Sequence, residues 1–199
     1  MAVARPRHAL TSLPTSGRVY EMQRRLERRL QRAGMSQADA ASVLKAHAEV
    51  VLHRCRVLHD DEHFDALHPS RTLLILLDDC DVADVEVLAA AARVESEHPE
   101  LRVAAEGLAA AVPIPAETDT LLEDLIVASG DIRLIALAER LDHARHLHLR
   151  PRAHWAAFHE SACSVYAPVA RRTHPRLARR FEWWTRMFAR RFLPAARWD

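Results

Sequence analysis

Glycine is scarce in this chain, with four residues in 199, and long β-branched runs are missing as well. Both shortages leave little material for hairpins and strands. Cysteine is limited to Cys55, Cys80 and Cys163, odd in number and widely spaced. That excludes a disulfide frame and reads as reduced thiols in a cytoplasmic protein. Lys45 is the only lysine; all other basic side chains apart from histidine are arginines, a bias expected of high-GC coding. No apolar run approaches membrane-spanning length, and residues 1–16 lack the apolar segment of a signal peptide, so no membrane partner is expected. Net charge is +1 at pH 7, so the molecule as a whole is not a polycation and no specific nucleic acid is expected.

Half the residues are apolar, 49 %, enough for one domain with a full core. Alanine, leucine and arginine dominate and favour helices. Residues 1–16, with Pro6 and Pro14, read as a flexible tail, and 17–199 as the domain. Helices are predicted over 19–33, stopped by Gly34, and over 37–58, opened by Ser36 and Asp39. A loop over 59–67 leads to a helix from His68-Pro69-Ser70 to Leu77. Asp81 is expected to cap a helix over 82–97. Further helices are predicted over 100–111, 119–128, 131–149, 151–172 and 175–192. The fold class is thus all-α, a single bundle of about eight helices.

Chemistry-bearing residues are plentiful. Cys55, His59, His63 and His68 are spaced by four, four and five, and His143, His146 and His148 form a second cluster. Neither matches a compact zinc pattern. Cys163 and His159 lie one helical turn apart, which packing explains as well as nucleophilic chemistry. Phe181, Trp184, Phe188 and Phe192 form an apolar stripe on the last helix, with Arg179, Arg180, Arg186, Arg190 and Arg191 around it. The acidic stretch of Asp78, Asp79, Asp81, Asp84 and Glu86 offers a complementary surface, so self-association or a protein partner is a further expectation.

Three segments carry a family likeness. The run DIRLIALAERLDHARHL, Asp131–Leu147, is followed by YAPVA at Tyr166–Ala170, and His68-Pro69 opens an earlier helix. Together they resemble the RelA/SpoT alarmone hydrolases of the HD superfamily, and the size suits a small alarmone hydrolase standing alone. The resemblance implies a helical HD domain that binds a divalent metal, usually manganese, through an early His, a His-Asp pair and a late Asp. Here His68 matches the early His. Arg93 and Val94 in AAAARVESEH stand at the pair, and Glu139 stands at the late Asp. Arg93 offers no lone pair and repels a cation. The expectation is therefore a degenerate site with no metal and no cofactor, in which the Arg93 guanidinium fills the vacated position and pairs with Glu139. The alternative is a local pair between Arg93 and Glu97.

By the same likeness, His68, Glu97 and Glu139 are the candidate acid/base residues. Arg93, Arg133, Arg140, His143, Arg145 and Tyr166 are the candidate ligand contacts. Asp131 reads equally as a helix cap, and Tyr166 equally as a core aromatic. The function implied is that of a divergent relative without conventional guanosine tetraphosphate pyrophosphohydrolase chemistry, binding a nucleotide, another small molecule or a protein. The alternatives are a repurposed enzyme using the old pocket for other acid/base chemistry, and a residual alarmone phosphohydrolase.

Overall fold

A computed structural model describes residues 17–59, 64–93 and 121–193. These form eight helices and no strand, the architecture that composition and periodicity predict. The helices are α1 (Gly17–Arg32), α2 (Gln37–Leu58), α3 (His68–Asp79), α4 (Val85–Arg93), α5 (Leu121–Val127), α6 (Gly130–His146), α7 and α8 (Pro175–Phe192). Helix α7 is α-helical over Trp155–Ser161, π-helical over Ala162–Tyr166 and α-helical again over Ala167–Thr173. Pro168 accounts for the wide turn. Inside a helix its ring crowds the carbonyl four residues back, that of Ser164, and one loosened turn relieves the clash.

Local chemistry sets most of the boundaries. Gly34 adopts φ 78 and Met35 N–H reaches back to Leu30 O at 3.3 Å, closing α1. Ser36 Oγ accepts from Asp39 N at 3.1 Å and opens α2. Three expected boundaries move. Asp81, expected to cap the fourth helix, instead sits at φ 55 in the connection. Asp84 does the capping: its Oδ1 accepts from Glu86 N at 2.8 Å and Val87 N at 3.1 Å, so α4 starts at Val85. Ser129, not Asp131, caps α6, its Oγ accepting from Ile132 N at 3.3 Å. The expected single helix over 131–149 ends at His146 and tightens into a 3-10 turn, Leu147–Leu149. The tail 1–16, the helix expected over 100–111, and Glu97 lie outside the described residues.

Helix α3 is the axis of the bundle. All but Arg71 and Asp78 of its residues are buried, the mark of a helix surrounded by others. It packs against α6, α4 and α1. Its Leu73 and Leu76 join Leu88, Ile135, Leu137, Leu141, Tyr166 and Phe181 in one continuous core. Truncating one such leucine to alanine typically costs about 2–5 kcal/mol. The stripe predicted on the last helix is core too: Phe181, Trp184 and Phe188 are buried. Because α3 is covered by other helices over most of its surface, its buried polar groups meet groups from those helices away from water.

Candidate functional site

Where α3 begins, its polar first turn meets the middle of α6. His68 is 2 % exposed, and its Nδ1 lies 2.6 Å from Asp142 Oδ2, across 74 residues of chain. A carboxylate at that distance makes Nδ1 the protonated nitrogen, so Nε2 carries the lone pair. Asp142 has two further partners. Arg71, one turn along α3, donates Nε at 2.8 and 3.0 Å, and His146, one turn along α6, lies 3.3 Å from Oδ1. Arg71 is itself held by Phe64 O at 2.6 Å. Burial drives the Asp142 carboxyl upward, but hydrogen bonds from His146, His68 and Arg71 outweigh it and hold the group well below the usual carboxylate range. Asp142 is therefore a fixed anion that orients His68.

Glu139 lies one turn before Asp142 on the same face of α6 and is equally buried. His143 Nε2 approaches Glu139 Oε1 at 3.2 Å, and Arg140 Nε approaches Oε2 at 3.1 Å. The rings of His68 and His143 are 4.6 Å apart, centre to centre. One ligand atom each from His68, Glu139 and His143 all fall within 4.8 Å of one another. Ligands on a tetrahedral ion, with bonds of about 2.0–2.1 Å, are separated by about 3.3 Å. The His143–Glu139 edge already has that length, and the other two edges are no longer than 4.8 Å. A metal-bound imidazole ordinarily donates its other N–H to a carboxylate, as His68 does to Asp142. The donor set therefore fits a divalent cation. The Arg140 guanidinium beside Glu139 is the one unfavourable feature, and it leaves the other carboxylate oxygen facing His143.

Other predicted residues fall elsewhere. Arg93 does not pair with Glu139. Its Nη2 lies 3.5 Å from Glu49 Oε2 on α2, because α4 packs along α2 and brings the helix end to that neighbour. The guanidinium expected to replace a metal is thus engaged on another face, and its alternative partner, Glu97, lies outside the described residues. Arg133 donates Nη1 to Ala128 O at 2.5 Å and Ile126 O at 3.3 Å, closing the C-terminal end of α5. Arg145 pairs with Asp79 at 3.0 Å. Tyr166 is fully buried in the π-helical turn, between the rings of Phe158 at 5.7 Å and Phe181 at 6.0 Å, a core aromatic. The second histidine cluster divides: His143 joins His68, His146 joins Asp142, and His148 stacks on Phe192 at 6.0 Å. In the first cluster, Cys55 packs in a small core with Val19 and Val51, while His59 is the exposed cap of α2. His63 lies outside the described residues.

Asp142 and Arg71 were not singled out from sequence as site residues, and His146 only as a member of a histidine cluster. The available signal was the spacing of Glu139, Asp142, His143 and His146 on one face of a helix that is otherwise apolar there. No protein-family model, curated protein or solved structure matches this chain. What the protein does must follow from the chemistry of its own side chains.

Proposed function

We propose that this chain is a divergent, HD-like phosphohydrolase-type protein that holds one divalent cation on His68, Glu139 and His143. The convergence of these three ligand atoms within 4.8 Å carries the reading. Two imidazoles and one carboxylate suit zinc or iron(II) and leave positions open for water or substrate. A cation bound there would supply Lewis acidity and a more acidic bound water. The chain's own residues do the rest. Asp142 holds His68 in the tautomer that presents Nε2. Arg71 and His146 keep Asp142 ionised and in place. Arg140 adds a fixed positive charge beside the site, suited to an anionic, phosphate-bearing substrate. The likeness to the alarmone hydrolases agrees with this placement, since His68 and Glu139 stand at positions where that family carries ligands.

A second reading is favoured by the 2.6 Å contact between His68 and Asp142. A histidine backed by a buried carboxylate is also the arrangement of a general base. In that reading the pocket works without metal and Glu139 is the partner acid.

Metal analysis separates the two. After equilibrium dialysis against zinc or manganese, the wild-type chain should retain one equivalent, and the Glu139→Gln/His143→Ala double variant should retain almost none. Phosphate and pyrophosphate release should then be compared with and without metal across nucleotide and simple phosphoester substrates. A wild-type protein that retains no metal while the fold is intact overturns the metal reading.

A further inference from the structure

On α1 the apolar stripe of Val19, Leu26 and Leu30 is buried, and Arg25, Arg28, Arg29 and Arg32 crowd an adjoining face at helical spacing. Like charges three and four residues apart destabilise a helix. Arg29 is relieved by an ion pair with Asp78 of α3. Arg25, Arg28 and Arg32 are exposed and have no carboxylate partner among the described residues. These arginines and Asp78 line a cleft of about 390 Å³. A second cleft of about 350 Å³ also contains Arg25 and Asp78 and continues past Arg71, Arg145 and Arg180, over Leu74 and Ile75.

The acids along this path are already engaged. Asp79 accepts from Arg145 at 3.0 Å and from Arg180 at 2.8 Å. Asp142 accepts from Arg71. Seven arginines line the two clefts against three aspartates, so the lining retains a clear positive excess although the whole chain is near neutral. None of His68, Glu139 and His143 is among the lining residues of either cleft. The site is therefore separate from the candidate metal centre, joined to it through Asp142.

We propose that these two clefts form a binding site for an oligophosphate chain, free or carried by a nucleotide. Arginine forks match phosphate oxygens in pairs, and several phosphates in a row satisfy several forks at once. Arg25 to Arg32 spans a rise of about 10 Å along the helix axis, more donor surface than a single phosphate can use. Each cleft has the size of a small-molecule site, within the usual range of about 300–1,000 Å³, which favours a compact ligand over a nucleic-acid strand.

The test is calorimetric titration of the full chain with inorganic triphosphate, with ATP, and with single-stranded RNA. Chelator is present and Glu139→Gln is the background, so that no metal at the His68 cluster can contribute. Triphosphate should bind, and orthophosphate at least tenfold more weakly. Arg25→Ala/Arg28→Ala/Arg32→Ala should weaken triphosphate binding at least tenfold without lowering the melting temperature, because none of the three has an ion-pair partner among the described residues and their mutual repulsion is relieved. Arg186→Ala, outside both clefts, should bind normally. ATP equal to triphosphate identifies the phosphate chain as the recognised part, and ATP more than tenfold tighter identifies a nucleotide; both support the site. No binding of triphosphate, unchanged affinity in the triple variant, or RNA bound more tightly than triphosphate overturns it.

Discussion

At the start of α3, Asp142 is 2 % exposed and gathers donors from His68, Arg71 and His146. About three turns along the same helix, Asp79 is 10 % and Asp78 is 28 % exposed, and each meets arginines from α1, α6 or α8. Both places join carboxylates to cations across helices distant in sequence. They differ in access to water. In the first, the anion is desolvated and stays charged only because its neighbours donate to it, so every partner is held in one geometry. In the second, the arginines outnumber the acids and reach solvent, so their pairing can be rearranged when another anion arrives. The first arrangement orients a histidine. The second offers spare donors to a ligand.

The largest expected effect lies in the buried region. Asp142→Ala strands His68 and Arg71 and should cost about 3–5 kcal/mol in urea denaturation, the usual loss on breaking a buried ionic cluster. A loss below about 1 kcal/mol would mean that Asp142 behaves like the solvent-reachable acids and that the contrast is false.

Next comes pH. His47 is completely buried against Ser70 Oγ at 2.7 Å, and burial lowers its pKa from 6.5 to about 4. The unfolded chain takes up a proton near the ordinary value while the folded chain does not. Stability is thus complete above pH 6.5, falls as pH drops from 6.5 towards 4, and changes no further below that from this group. The full fall is about 3 kcal/mol. Urea titrations across that range should show the slope, and His47→Leu should flatten it. An identical slope in the variant would assign the acid sensitivity to other groups.

Metal comes third. At a free concentration of about 100 times its dissociation constant, a bound cation adds about 2.7 kcal/mol. Thermal melts with zinc should show that rise in the wild type and not in His143→Ala. An equal rise in Arg25→Ala/Arg28→Ala/Arg32→Ala leaves the two regions independent, whereas its loss there would merge them.

The smallest effect belongs to Arg93. Its 3.5 Å pair with Glu49 is partly solvent-reachable, and such pairs contribute about 0–1 kcal/mol. Arg93→Met should leave the denaturation midpoint nearly unchanged, and a double cycle with Glu139→Leu should be additive. A coupling of several kcal/mol would restore the buried pair with Glu139 that the sequence suggested.

Much of the bundle was legible from local pattern. Ser36, Gly34 and the arginine-flanked stripe of α1 announce their own boundaries, because caps and amphipathic periods act within one or two turns. Asp81 was misread as a cap, and the cap reading weighed for Asp131 fails, for a similar reason: each has a competitor within three residues, Asp84 and Ser129, and only backbone geometry chooses between them. The candidate site was half legible. His68, Glu139 and His143 could be named from the likeness to a family, but not the set they form. Nothing in the local sequence says that Asp142 faces His68 or that Arg93 turns towards Glu49.

By itself, then, the sequence determined an all-helical chain, the apolar faces of its helices, and a row of acids and histidines on one side of α6, since these depend on residue propensity and on periods of three and four. Tertiary structure alone decided which of those acids meets His68 across 74 residues, that α4 carries Arg93 to α2, and that the arginines of α1 and α8 share one cleft. Those outcomes depend on how α3 is surrounded. Packing a buried helix sets the distance and the dielectric between groups that no local pattern connects.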